Sequence, residues 1–534
     1  MRLGVDFGTT RIVVAAADRG NYPLVSFDTP DGEARDWFPS LIAVGPEGRR
    51  FGWDTWRVQG DPQWTALRSV KRLLHNAGPK TEVQVGQETF RLQDLITELL
   101  LGLRRQLRKN STLQLDRAEP LEVMIGVPAN ANSNQRFLTA EAFRSAGFHV
   151  LGMLNEPSAA SVESGHRDRA AHQGQQGRTL LVYDLGGGTF DASLVEIEEN
   201  LHTVVATTGI SEIGGDDFDE ALAELALETA GVTRAGRGSL SAAQWFHLLE
   251  ECRERKEALN PNTRKIVVDL EPVHAGWGEV SIAVGPYYER CRPLIERTQR
   301  VVEELMSQHS ERSIEALYVT GGGSELPAVS RVLRETFGRR VRRSSYMRSA
   351  TAIGLAIAAD DRSNYVLKDR FSRWFGVWRE ADWGDNVAFD VLFPRGLELP
   401  RTGASPLHVT RAYHPAHNIG HFRFVECTGL ADGGQPAGDL THWDDIRFPF
   451  EPALREHADL AEMAVSQNGD FAGQWIEEDY SCDSSGMVKV AITNKSAGYR
   501  REYALGGWSG KTARVSAAAP GKRDWAQRHR ESQA

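Results

Sequence analysis

The chain has 534 residues, 41% of them apolar and 25% charged, with a net charge of −10 at neutral pH. That length exceeds what one hydrophobic core can serve, so two to four folding units are expected, and the acidic balance leaves no basic footprint for nucleic acid. Cys252, Cys291, Cys427 and Cys482 form no CxxC pair, which argues against a disulfide framework or a thiolate zinc site.

Read in chain order, the first residues, Met1-Arg2-Leu3-Gly4-Val5-Asp6, put a carboxylate where a signal peptide needs apolar residues, so a cytoplasmic protein is expected. The stretch "LGVDFGTTRIVVAAAD" reads as strand, Asp6, Gly8, Thr9-Thr10, strand. Val123–Val127 is a short apolar strand closed by Pro128, and Gln135–Ala146 a helix ending at Gly147. "LLVYDLGGGTFDASLVEIE" then repeats the opening layout, with Asp184, Gly186, Gly187, Gly188 and Thr189 between two strands. In "ERCRPLIERTQRVVEELMSQ", Cys291, Leu294, Ile295, Thr298, Val301, Val302 and Leu305 recur at helical spacing and predict one buried face. Leu317–Thr320 is a strand running into Gly321-Gly322-Gly323, followed by a helix at Ala328–Phe337. Ala350–Ala359 is apolar all round, as in a helix packed inside a domain, and is too short to span a bilayer.

After Asp361 tryptophans, short alternating segments and the turn signals "DGG", "NGD" and "DSSG" replace helical periodicity, which predicts a β-rich unit. The expected division is an α/β unit at 1–361, a basic and aromatic linker at 362–381, a β-sandwich at 382–506 and a disordered tail at 507–534. His414, His417 and His421 have a spacing that a metal could use. No acid or thiol accompanies them and Pro415 with Gly420 marks a turn, so a polar loop is expected.

A glycine turn brings backbone N–H groups close to an anion, and the hydroxyls of Thr9, Thr10 and Thr189 add donors. Asp6 and Asp184 would repel phosphate unless a cation lies between, and Mg²⁺ suits carboxylates facing nucleotide phosphates. One such turn is an ordinary hairpin; two with the same Asp–Gly–Thr order suggest a duplicated fold gripping a triphosphate from both sides. Neither matches the Walker P-loop or the dinucleotide fingerprint.

"GVDFGTT", "VKRLL", "VPANANSNQRFLTAEAFRSAGFHVLGMLNEPSAA", "VYDLGGGTFDASLVEI" and "IGGDDFDEAL" resemble, in order, landmarks of the seventy-kilodalton heat-shock chaperones of the DnaK type. The resemblance covers about residues 1–360 and continues more weakly into "VLFPRGLELP" and "DYSCDSSGMVKVAITNKSAG". It implies an actin-like duplicated ATPase domain of α/β class followed by a smaller all-β sandwich that binds peptide. It further implies ATP and ADP as ligands, Mg²⁺ held by Asp6 and Asp184 with support from Glu156, and a monovalent cation such as K⁺ at Asp191. Gly8, Thr9, Thr10, Gly186, Gly187, Gly188 and Thr189 would contact phosphates. Gly214, Gly215, Lys256, Gly321 and Gly322 would complete the nucleotide site, Lys256 reaching the ribose or base. Lys71 would balance charge on the transferred phosphoryl and position water, and Pro128 and Arg136 would relay nucleotide state to the peptide unit. The implied partners are unfolded or specific client proteins, a J-domain co-chaperone and a nucleotide exchange factor, with neither nucleic acid nor membrane.

The sequence departs from the family at the adenosine side. Arg253 stands where the family has an acid, Glu257 where it has an arginine, Glu325 where an arginine stacks on adenine, and Arg348 at a position normally acidic. Weaker or less selective nucleotide binding is expected, with Arg253 and Glu257 compensating each other. The linker "NYVLKDRFSRWFGVW" has lost the acidic, leucine-rich character of the family, and the sequence stops about where the helical lid would start. Two readings follow: a slow ATPase coupling nucleotide state to protein binding, or a nucleotide-sensing interaction module with little or no folding activity. A small-molecule kinase and a filament-forming actin relative are disfavoured by the β-rich part.

Overall fold

The computed structural model describes the chain except for residues 59–60, 62, 79, 117, 169–176, 382–385, 458–459, 461, 468–470, 505–513 and 517–534. The turn signal at 468–470 therefore lies outside the described residues. Of the tail expected to be disordered, the described part is Arg514–Ser516, a short strand parallel to Glu82–Gln84.

Two large sheets, with several small two- and three-stranded ones around them, carry the first 368 residues. One uses β1 (Arg2–Phe7), β2 (Arg11–Ala16), β3 (Phe38–Pro39), β4 (Glu122–Val127) and β5 (His149–Asn155), in the order β5-β4-β1-β2-β3. The other uses β6 (Arg178–Leu185), β7 (Phe190–Glu198), β8 (Leu201–Ile210), β9 (Ile314–Thr320), β10 (Val341–Arg343) and β11 (Val366–Lys368), in the order β10-β9-β6-β7-β8-β11. The duplication read from the two turns is visible in the pairing. In each sheet the Asp-bearing strand runs antiparallel to the strand after its turn, β1 with β2 and β6 with β7. On its other side it runs parallel to a later strand, β4 or β9. Both Asp strands are buried over most of their length, as expected of near-continuous apolar runs in the middle of covered sheets.

The helices that matter to the site are α1 (Val70–Leu73), α2 (Ser133–Ser145), α3 (Glu156–Asp168), α4 (Gly215–Thr229), α5 (Ala242–Glu257) and α6 (Ala350–Ala359). α6 is buried at every position but Ala358 and packs between α3 and β1, which ties the two sheets together. The long helix Val284–Gln308 buries Cys291, Leu294, Ile295, Thr298, Val302 and Leu305, the face its periodicity predicts. Val301 is half-buried at the margin of that face. Separate apolar cores lie beneath the two sheets.

Between Trp374 and Ala504 the strands form two four-stranded antiparallel sheets. One has the order β13-β12-β15-β16, from β12 (Trp374–Ala381), β13 (Asn386–Phe393), β15 (Ile419–Leu430) and β16 (Pro436–Pro449). The other has the order β14-β17-β18-β19, from β14 (Leu407–Tyr413), β17 (Ile476–Cys482), β18 (Val488–Asn494) and β19 (Tyr499–Ala504). Phe375, Phe393, Phe448, Ile476 and Ile492, all fully buried, fill the space between them.

The expected linker at 362–381 needs correction. Val366–Lys368 is not free but adds β11 to the second sheet, in parallel register with Leu201–Thr203. Trp374–Ala381 is the first strand of the sandwich, paired on both sides. The connection is therefore the five residues Asp369–Arg373. The strand was hard to see because Arg373, Arg379 and Glu380 interrupt the apolar alternation, although Phe375 and Val377 are core residues.

Candidate functional site: a cleft between two glycine turns

The turns after Asp6 and Asp184 face each other across a cleft with about 880 Å³ of empty space. Asp6, Gly8, Thr9, Thr10, Gly186, Gly187 and Thr189 line it, as do Lys71 from α1 and Glu156 at the start of α3. Gly215, Lys256, Gly321 and Gly322 complete the wall. Thus, with Asp184 itself, fourteen residues expected in the active site converge, though they come from widely separated parts of the chain. The turns approach closely: a Cβ on Gly187 would lie 2.4 Å from the Thr10 hydroxyl, which would have to turn away to admit it. Gly321 has φ +87° and sits against the Asp184 carboxylate, where a side chain would be both strained and obstructed.

Gly188 and Gly214 do not line the cleft but touch each other behind it; a Cβ on Gly214 would come within 2.5 Å of the Gly188 nitrogen. Asp191, expected to ligate a monovalent cation, lies opposite Asp184 in the β6–β7 hairpin and accepts from the Ala129 N–H at 2.9 Å. It too stands behind the lining.

The electrostatics are unbalanced. Burial, followed by repulsion from Glu156, pushes Asp6 up to about 7, and burial with the same neighbour pushes Asp191 up to about 7. Asp184 is raised well above the usual carboxylate range by burial and by Glu156, Asp6 and Asp191. Against these stands Lys71, 5% exposed, whose ammonium is 2.5 Å from Glu156. Burial alone would lower its pKa, but Glu156 and Asp6 outweigh that and raise it. Lys71 is therefore a buried cation held by carboxylates and not the exposed helix lysine that its neighbour Arg72 would suggest. Such a set, rich in oxygen donors and short of positive charge, fits a hard divalent cation. Among the described residues no three His, Cys, Asp or Glu groups converge tightly enough to hold an ion by themselves. An ion here would need water or phosphate among its ligands, as Mg²⁺ commonly does. The three histidines of 414–421 form no such group either; His417 pairs with Glu380 at 2.8 Å.

At the other end of the cleft the departures from the family are mutually satisfied. Arg11 lies 2.5 Å from Glu257, Arg348 lies 3.2 Å from Glu257, and the Arg348 Nε donates to Glu325 at 2.7 Å. Arg253 pairs with Glu250 at 2.5 Å and also acts through space on Glu257, so the two charge reversals compensate each other as expected, each with a further partner of its own. Burial opposes ionisation of Glu257, yet Arg11, Arg348 and Arg253 hold it down to about 2. Lys256 spends two of its three donors inside the protein, on Gly215 O at 2.7 Å and Asp219 at 2.6 Å. Arg11 escaped notice in the sequence, although it directly follows Thr9-Thr10 in the turn. Arg68, which bridges Asp216 at 2.9 Å and Asp219 at 2.8 Å, left no comparable signal.

Pro128 and Arg136 lie outside the cleft, beneath it. Arg136 is 6% exposed rather than a solvated helix residue, and donates to Asn155 Oδ1 at 2.6 Å and to Ser485 O in the sandwich at 3.1 Å. Asn155, the residue before Glu156, also donates to Asp369 of the connection at 2.9 Å. Ser133 N–H donates to the buried Glu426 of β15 at 2.9 Å. Asn155 and Asp369, like Arg11 and Arg68, are not singled out by the sequence reasoning; the quoted "NEPSAA" contains the first without marking its role.

Fold and cleft together define a protein class with a duplicated α/β unit, a cleft between its two glycine turns and an appended β-sandwich. The description "Hsp70 protein" matches residues 74–369, and the chain belongs to that family. It is 32% identical over 377 residues to the chaperone protein HscA homolog of Aeromonas salmonicida (strain A449), covering 67% of this chain and 57% of the relative. It is 30% identical over 374 residues to chaperone protein HscA of Cronobacter sakazakii, with the same two shares. With chaperone protein HscA of Enterobacter sp. (strain 638) the identity is 31% over 376 residues, 67% of this chain and 58% of the relative. The chain thus spans less than three fifths of the length of these relatives. The fold class read from the sequence, an actin-like α/β ATPase architecture followed by an all-β sandwich, is the fold of the family and of this chain. Among the described residues no helix is long and apolar enough to cross a membrane.

Proposed function

We propose that the protein is an ATP-binding and ATP-hydrolysing chaperone relative that couples nucleotide state to protein binding by its β-sandwich. The observation that carries this reading is the convergence of both Asp–Gly–Thr turns with the buried Lys71–Glu156 pair in one cleft. In it, residues 1–368 are the nucleotide unit, and the strands between Trp374 and Ala504 are the protein-binding unit.

Thr9, Thr10 and Thr189 with the backbone of Gly8, Gly186 and Gly187 hold the phosphates; Gly188 and Gly214 brace that loop from behind. Mg²⁺, when bound near Asp6 and Asp184, supplies neutralisation of phosphate charge, and K⁺ is assigned to Asp191 as a supporting cation. The Lys71 ammonium, anchored by Glu156, faces the charge that develops on the γ-phosphoryl group. Glu156 accepts a hydrogen bond from attacking water, whose oxygen bonds to the γ-phosphorus as the bond to ADP breaks. Gly215, Lys256, Gly321 and Gly322 bound the nucleoside portion. Pro128 and Arg136 carry the state of the cleft to the sandwich through Asn155 and Asp369. The relatives' name, chaperone, supports client proteins as partners; a J-domain co-chaperone, a nucleotide exchange factor and a cytoplasmic setting belong to the same proposal.

A second reading is favoured by the self-paired charges at the base end of the cleft: a nucleotide-sensing interaction module with little turnover. ATP hydrolysis measured with and without unfolded peptide separates the two. Stimulation by peptide is the result expected of a chaperone cycle; binding of ATP without peptide-dependent turnover would favour the module. No binding of ATP would remove both.

A further inference from the structure

Resting on the nucleotide reading of the cleft, we propose that Arg348 is the platform on which the nucleotide base stacks. The ion-pair chain Arg11–Glu257–Arg348–Glu325 holds its guanidinium in place. Three arginines line the cleft, and their surroundings distinguish them. The Arg11 guanidinium already lies over the Trp37 ring, 4.5 Å from its centroid, so one face is occupied. Arg253 is 9% exposed and tied to Glu250. Arg348 retains 35% of its side-chain exposure, and its contacts are made through the edge of the guanidinium. Nε and Nη2 are directed to Glu325 and Nη1 to Glu257.

Carboxylates on two sides fix the plane and leave the faces for a π-system, the arrangement in which arginine outperforms lysine. The glycine run joins this platform to the carboxylate end. Gly321 abuts Asp184, whereas the Arg348 stem passes 3.8 Å from where a Cβ on Gly322 would be. Phosphates at the turns would thus leave a base near Arg348. A stacked base is held by its face, which every purine offers, so this platform does not read exocyclic groups. ATP and GTP are both accepted.

The test uses the full chain with Mg²⁺ and titrates ATP, GTP and inorganic tripolyphosphate by calorimetry. Both nucleotides should bind more tightly than tripolyphosphate. Arg348→Ala should weaken ATP and GTP alike, by roughly tenfold, and leave tripolyphosphate unchanged. Arg348→Lys, which keeps the charge and loses the plane, should behave like the alanine variant. The proposal is overturned if Arg348→Ala leaves ATP affinity unchanged, if tripolyphosphate weakens equally, or if Arg348→Lys restores wild-type affinity. Wild-type protein that holds tripolyphosphate as tightly as ATP overturns the platform while sparing the phosphate clamp. Protein that binds none of the three overturns the nucleotide reading and the platform with it.

Discussion

The two ends of the cleft solve opposite charge problems. At the phosphate end, Asp6, Asp184, Glu156 and Asp191 crowd around Lys71, and burial with mutual repulsion raises all three aspartates. At the base end, Arg11, Glu257, Arg348 and Glu325 alternate in sign and satisfy one another. The first end is complete only with a ligand of matching charge; the second is complete already. Binding energy specific to the ligand should therefore come from the phosphate end, with the base end tuning it.

The largest effect expected from breaking this asymmetry is in hydrolysis. Lys71→Ala should lower single-turnover ATP hydrolysis by about tenfold or more while calorimetry finds nucleotide binding largely retained. The ammonium matters most as charge separates on the phosphoryl group. Equal rates in variant and wild type would remove Lys71 from the chemistry.

Next in size is the cation dependence. Asp184→Asn should weaken Mg²⁺-dependent ATP binding, because an amide cannot balance the charge of the ion as a carboxylate does. A titration of Mg²⁺ at fixed ATP reads this directly. An unchanged Mg²⁺ dependence would place the ion elsewhere.

The two ends also differed in legibility. The phosphate end could be read because its chemistry demands residue types in a fixed local order: Asp6 and Asp184 each ahead of glycines and threonines. The pairing of β1 with β2 and β6 with β7 follows from those same short stretches. The base end depends on partners distant in sequence, Arg11 with Glu257 and Arg348 with Glu325, so these pairings have no local signature. The linker was misread for a related reason. Its arginines and aromatics read as a connecting segment, yet Arg373 is 1% exposed, donates to the Asp439 carboxylate and carbonyl at 2.9 Å, and lies 3.8 Å from Glu426. A buried charge with distant partners has no local sequence signature.

A smaller effect should follow from separating the two units. In the wild type ATP should protect 366–373 from proteolysis relative to ADP, because coupling requires nucleotide to favour one arrangement of the units. Arg136→Ala removes the donor shared by Asn155 and Ser485 and should erase that difference while the cleft still binds ATP. Phe375 would be a poor choice for this test, since it is a fully buried core residue of the sandwich. A nucleotide-dependent cleavage pattern that survives Arg136→Ala would show that coupling takes another route.

The smallest expected effect concerns the self-satisfied end by itself. Although burial disfavours the charged form, Arg11, Arg348 and Arg253 hold Glu257 at about 2, below its ordinary 4.5. A depressed carboxylate stabilises the folded state above its unfolded value, and the gain is lost as pH falls from about 4.5 towards 2. Glu257→Gln should therefore lower resistance to urea at neutral pH and make stability less dependent on pH across that acid window. The indole of Trp37, under the Arg11 guanidinium, offers a local fluorescence probe of the same chain of pairs. Because the glutamate is still partly exposed, solvent screening should keep the change modest, well below that of a fully buried ion pair. If the glutamine variant proved as stable as the wild type at neutral pH with an unaltered acid profile, Glu257 would contribute nothing net. The base end would then be merely tolerated, and its contrast with the phosphate end would lie in charge placement alone.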